Sequence, residues 1–287
     1  MAVYKQTYRH YSGRLTTAWL RFSILSRFSY ARLFQSRFLV LFMAVCLFYP
    51  IGCAAFIYIT HSLPLVAALQ FRPNTLPPID GTFFYLYSVV QGTLAFLLTT
   101  MIGPNLVAPD LSNGALCLYL TRPFSRAQYV FGKMMVLLSL QSLITWIPGL
   151  LLFSIKTGCD GWDWARANAW LAGAIVIGPV IWIVVLSLIA LALSAWVKWK
   201  IAAGALILGV FFGGAGFAHA INSIVGTRYG SVINISKVMH TVWAELFRHG
   251  FMDTDLTTSE AWLVLGVVCT LCLGLLAKRV RAFEVVK

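Results

Sequence analysis

The chain has 287 residues, of which 60% are hydrophobic and only 11% charged, and its mean hydropathy is +0.82. A soluble domain carries roughly 25% charged residues and needs a polar face on each surface helix, so this composition excludes a water-soluble fold and makes lipid the natural solvent. The formal charge of +13 sits at the ends of apolar runs rather than in a patch or an RNA-binding motif, which excludes nucleic acid as the partner and makes the charge topological.

The first 37 residues hold seven Lys and Arg and no acid, and the first apolar run begins only at Phe38, so an uncleaved anchor is expected rather than a signal peptide. Residues 14–36 place Leu15, Ala18, Trp19, Phe22, Leu25, Tyr30 and Leu33 roughly on one helical face, interleaved with Arg14, Arg21, Arg27 and Arg32. That pattern predicts a helix lying along the membrane interface, although Leu20, Ile24 and Phe28 fall elsewhere and a solvated basic tail is the alternative. Residues 1–37 thus form a basic N-terminal segment, and 38–287 a single transmembrane domain.

Six charge-free apolar windows follow: Phe38–Ile59, Phe83–Ile102, Met134–Ile155, Trp170–Val197, Ile201–Ile221 and Ala261–Ala277. Each is near the ~20 residues that cross ~30 Å of hydrocarbon, so the expected fold is an all-α integral membrane protein with six transmembrane helices. The fourth window is long enough to tilt or to kink at Pro179. In the last, Thr257 and Glu260 offer a capping box, and Lys278 and Arg279 can snorkel. With six spans, 16 of the 22 Lys and Arg fall on the side shared by both termini, and seven of the nine acids on the other. The basic side is expected in the cytoplasm, which makes this a multi-pass protein of the cell (inner or plasma) membrane with both termini inside.

In the fifth window Gly209-x-x-x-Gly213, followed by Gly214 and Gly216, lets another helix approach closely, at a subunit interface, beside a pathway or within the chain. The outer loop 222–259 is too long for a bare connector and contains a helix-like stretch, Ser236–His249, with Ser236 as its N-cap and Gly250 as its stop. Val238, Val242 and Leu246 recur at helical spacing with Met239 and Trp243 beside them, so one face should pack on the membrane domain or dip into the interface.

Sites for chemistry are not expected on this chain. Gly132-Lys133 has Ala127 in the first glycine position of a phosphate-binding loop and Met134 after the lysine. Neither H-E-x-x-H nor G-x-S-x-G occurs, and the five histidines lack metal-ligand spacing. Cys269-x-x-Cys272 lies within an apolar run without flanking His or charge, where thiols behave as small hydrophobes. No Asp, Glu, Lys or Arg interrupts a window, which argues against an ion-coupled transporter; Gln91, Gln141 and small hydroxyls offer polar groups there, and His219 and Asn222 near the outer end of the fifth window are the nearest substitutes for a charge. A non-catalytic chain with no cofactor and no metal is the expectation.

Between the second and third windows the sequence runs Asp110-Leu111-Ser112-Asn113-Gly114-Ala115-Leu116, then Leu118-Tyr119-Leu120-Thr121-Arg122-Pro123-Phe124-Ser125-Arg126, then Tyr129 and Gly132-Lys133. Arg122-Pro123 breaks the preceding helical stretch and Ser125 can cap the next, which predicts helix, turn and new helix within a cytoplasmic loop at 103–133. This stretch resembles the cytoplasmic loop of the ABC type-2 transporter permease family: an acidic residue and a glycine a few positions apart, a short apolar stretch, an R-P-x-S-R turn, an aromatic, and a G-K pair entering the third span. The layout of the whole chain is similar as well. The resemblance implies that residues 108–127 form a coupling helix resting on a separate ABC ATPase subunit. Asp110, Leu111, Gly114, Arg122, Pro123, Arg126, Tyr129 and Lys133 would be its coupling residues, and an interfacial helix anchored by snorkelling arginines is the alternative.

It further implies the permease subunit of an ATP-driven transporter, most simply an exporter. Two ATPase copies would hold the ATP and Mg²⁺, and a second permease copy or a paralogue would complete the pathway, with Gly209, Gly213 and Gly216 at helix interfaces. The alternative is a non-transporting membrane subunit that relays ATPase closure through loop 222–259 to an outer-face partner protein. An apolar pathway fits lipids, amphiphilic drugs and extended polymers alike.

Overall fold

A computed structural model describes residues 21–62, 77–113, 125–197, 199–250 and 256–279. Regular structure among them is entirely helical. Six helices are long and apolar enough to cross a membrane: Arg37–His61, Gly81–Asp110, Arg126–Asp160, Ala169–Trp196, Lys200–Val225 and Thr258–Arg279, called spans 1 to 6 below. The chain is an all-α, multi-pass membrane protein, as composition and periodicity predict. The bundle has a basic end, where Arg126, Lys200 and Arg279 lie, and an opposite loop end carrying the long connection between spans 5 and 6.

Span 4 is the axis of the bundle: 72% of its most apolar stretch is buried within the protein, against 22% for spans 5 and 6 and 28% for span 1. Span 2 is its main neighbour and supplies the polar links. Tyr87 donates to the Thr145 carbonyl of span 3 at 2.9 Å, and the Gln91 amide to the Cys46 carbonyl of span 1 at 3.1 Å. Thr99 accepts from the Gln141 amide of span 3 at 2.8 Å, and the Gly92 carbonyl accepts from the Trp182 indole of span 4 at 2.9 Å. In hydrocarbon such bonds hold helices together because water offers no alternative partner. The intramembrane glutamines therefore tie separate helix pairs and do not converge on one site.

Span 3 is broken. Its helix stops at Ile144 and restarts at Trp146, with Thr145 at φ −104°, ψ −92°. Pro148 explains the break, because its ring has no N–H and collides with the carbonyl four residues back, that of Ile144. The Tyr87 hydroxyl takes up the Thr145 carbonyl at the gap. Pro179, by contrast, sits inside an uninterrupted span 4. Span 5 carries a π-helical turn, Gly209–Gly213, between α-helical segments Lys200–Leu208 and Gly214–Val225. The capping box at the start of span 6 forms: Thr257 N–H donates to Glu260 at 2.8 Å and Glu260 N–H to Thr257 Oγ1 at 3.4 Å. Arg279 does more than snorkel, since its Nε donates to the Ala195 carbonyl at the end of span 4 (3.3 Å) and its guanidinium lies over Trp196.

The amphipathic helix between spans 5 and 6 forms as predicted, with different ends. It spans Ile235–Leu246, and Asn234 rather than Ser236 caps it, accepting from Lys237 N–H at 3.1 Å. The chain turns at Arg248, in the left-handed region at φ 53°, two residues before Gly250. Val238, Met239, Val242 and Trp243 are buried on the bundle. Trp243 wedges between span 2 and span 4, where Gly92 and Gly178 leave room; a Cβ at Gly178 would stand 2.9 Å from Trp243 Cδ1. Tyr85 of span 2 bonds His240 Nδ1 at 3.1 Å and stacks on His249 at 4.6 Å. Burial lowers the His240 pKa from its ordinary value.

Candidate functional site

The residues singled out by the loop motif begin at the end of span 2. Its helix does not stop where the predicted loop begins at residue 103 but runs through Pro104 and Pro109 to Ser112. At the other end Ser125 caps the Arg126–Ile144 helix, accepting from Gln128 N–H at 3.1 Å while Gln128 Oε1 accepts from Ser125 N–H at 3.0 Å. The described parts of the predicted 103–133 loop are thus largely helix, the ends of spans 2 and 3. Gly114, Arg122 and Pro123 lie outside the described residues, as does most of the predicted coupling helix.

Of the remaining motif residues, the fold brings three together and leaves one outside. Asp110 comes from the last turns of span 2, Tyr129 and Lys133 from the first turns of span 3. Tyr129 donates to Asp110 Oδ2 at 3.0 Å, and Lys133 Nζ reaches the same oxygen at 2.8 Å and lies over the Tyr129 ring. All three are buried, Asp110 at 7%, Tyr129 at 1% and Lys133 at 6% exposure, so their groups face each other and not a partner surface. Arg126 is exposed, one turn closer to the connecting segment. Of Leu111 the structure fixes the backbone, in the same helix.

The N-terminal helix, Arg21–Leu33, completes the arrangement by packing on the same stretch of span 3. Ser26 donates to the Gly132 carbonyl at 2.7 Å, and the Tyr30 hydroxyl donates to the Met135 carbonyl at 3.4 Å and pairs with Ser139. Its buried positions are Leu25, Ser26, Ser29 and Leu33, whereas Phe28 is 72% exposed. The predicted apolar face is therefore right at Leu25, Tyr30 and Leu33, and the serines that secure it carry no hydrophobic signal. Span 3 enters the bundle gripped from two sides, by a buried ion pair to span 2 and by hydrogen bonds to the N-terminal helix.

The glycines of span 5 lie apart from this cluster. Gly209, Gly213 and Gly216 are exposed, and a Cβ built on any of them meets no atom of the described chain within 4 Å. Among the described residues they make no close helix contact. Gly214 is different, facing the Ile233 carbonyl.

Compared with known families and with characterised proteins, the chain matches no family model and no characterised sequence.

Proposed function

We propose that this chain is the membrane permease subunit of an ATP-binding-cassette transporter, driven by a separate ATPase subunit that carries the ATP and Mg²⁺. The observation that carries this reading is the buried tie between Asp110 and Lys133 across a short connection bearing the family-like motif. A push on the connection enters spans 2 and 3 as one body, and span 2 passes it to spans 1 and 4 through the Gln91 and Trp182 bonds. The basic end then faces the cytoplasm, with both chain termini, as the Lys and Arg bias requires.

In this reading Arg126 meets the ATPase and the Asp110 cluster transmits. A tagged chain purified from its native membrane is expected to bring an ATPase subunit with it, and Arg126→Ala to weaken its retention about tenfold, the loss of one charge-assisted hydrogen bond. A complex with no nucleotide-hydrolysing chain, in mild detergent and in nanodiscs alike, sinks the proposal. ATPase activity stimulated by substrate then selects transport over mechanical relay to an outer partner.

The exposed Gly209, Gly213 and Gly216 face supports a second permease copy or a paralogue as the neighbour of span 5. Leucines at Gly209 and Gly213 hold such a neighbour away and cost about 1–3 kcal/mol of association. The double variant is expected to insert normally and to run as monomer after crosslinking. Unchanged crosslinked dimer assigns this face to lipid.

A further inference from the structure

Spans 2, 4 and 5 and the Ile235–Leu246 helix enclose a cleft of about 230 Å³. Its walls are the rings of Phe96, Trp182, Phe211, Phe212 and Trp243. They are set against one another at defined angles: Trp182 meets Phe211 edge-on at 5.8 Å and Trp243 at 5.9 Å, and Phe96 leans on Phe211 at 4.6 Å. The indole of Trp182 is pinned to the Gly92 carbonyl, and Trp243 is wedged between Gly92 and Gly178, so the walls are held open rather than free to collapse. The π turn of span 5 supplies both Phe211 and Phe212, and such turns interrupt α-helices mostly where a site needs the altered register.

Among the described residues the lining carries no Asp, Glu, Lys or Arg. Its polar groups are Asn234, Ser236 and His240, at the cap and in the first two turns of the loop-end helix, and the exposed Thr93 of span 2. Of the described lining residues Thr93 and Phe212 are exposed, so a ligand reaches the cleft beside these two side chains.

We propose that this cleft binds one uncharged membrane amphiphile, its alkyl or ring portion among the five aromatic side chains and a hydroxyl or carbonyl head at Asn234, Ser236 and His240. The size fits: an apolar cavity of about 150 Å³ already holds benzene, so this cleft takes a single ring or a medium-length alkyl segment. The chemistry fits as well, since an ionised head would be buried here without a counter-charge, and aromatic walls bind hydrocarbon while a few polar groups fix its orientation. Binding belongs to this chain alone and does not draw on the partner ATPase, so its failure and that of the transporter reading are separate results.

The test is photolabelling of the full chain in phosphatidylcholine nanodiscs with a diazirine-bearing decanol, sites being read by mass spectrometry. Saturable labelling at Phe96, Phe211 and Met239 is expected, displaced by unlabelled decanol and about tenfold less well by decanoate or decylamine. Ala215→Phe fills the cleft and should reduce that labelling about tenfold, while Ala220→Phe on the exposed side of the same helix leaves it unchanged. If Ala215→Phe lowers the yield of folded protein, Thr93→Phe blocks the opening instead. Labelling that is no stronger in the cleft than at Leu86 and Leu263, or that neither variant alters, overturns the site. Equal displacement by the charged analogues overturns the uncharged head.

Discussion

Asp110→Asn is expected to lower the stability of the folded bundle by about 3–5 kcal/mol, because it leaves the Lys133 ammonium buried without its counter-charge. The carboxylate is 2.8 Å from Lys133 Nζ and 3.0 Å from the Tyr129 hydroxyl, and both charged side chains are less than a tenth exposed. Lys133→Met should cost a similar amount for the converse reason. The double variant Asp110→Leu with Lys133→Met removes both charges and should recover most of the loss, since replacing a buried pair by apolar groups is often neutral or stabilising. Thermal unfolding in detergent and the monodisperse fraction on gel filtration measure all three. An unchanged Tm for Asp110→Asn would show that the pair contributes nothing. Under the permease proposal the double variant also separates two roles: if the pair transmits motion, the stable, uncharged protein should still retain the proposed ATPase subunit but respond to it less, whereas Arg126→Ala should lose retention with no change in Tm.

The sequence carried the architecture because the bilayer leaves few solutions. Twenty apolar residues without charge must be a helix crossing the hydrocarbon, and each of the six windows lies within or against a spanning helix of the structure. Caps were legible where the pairing is local, as at Thr257 with Glu260 and at Ser125. Where two candidates compete locally the choice is tertiary: Asn234 caps the loop-end helix because the preceding turn brings its side chain to Lys237 N–H, and Ser236 falls inside. The same holds for Asp110. As a lone acid beside a basic connection it reads as a surface group, and only the apposition of spans 2 and 3 makes it the buried partner of Lys133, 23 residues away. Serines such as Ser26, and the pairing of Trp243 with Gly92 and Gly178, are invisible to periodicity because they match shape and hydrogen bonds between distant segments. The break in span 3 was readable in principle from Pro148, whose consequence for the Ile144 carbonyl is local.

Trp243→Ala should release the loop-end helix from the bundle. Trp243 is 2% exposed and fills the space that Gly92 and Gly178 leave between spans 2 and 4, so its truncation opens a cavity worth about 3–5 kcal/mol. The other fastenings of this helix are individually weaker: the buried Val238, Met239 and Val242, the Tyr85 hydroxyl on His240, the His249 ring on Tyr85, and the Arg248 guanidinium over Trp170 at 4.4 Å. Opening of the segment then becomes frequent while the spans stay folded, and proteolysis reports the open population when reclosing is fast. Trypsin should cut after Lys237 or Arg248 at least about tenfold faster in the variant. The converse substitution gives an independent check. Gly178→Ala brings a methyl to 2.9 Å from Trp243 Cδ1 and should expose the same sites by overpacking, at about 1–3 kcal/mol. Combined with Trp243→Leu the added methyl has room, and the two losses should be less than additive. If Trp243→Ala leaves the helix as trypsin-resistant as the parent chain, the indole is not its anchor, and the remaining buried side chains and polar contacts suffice together.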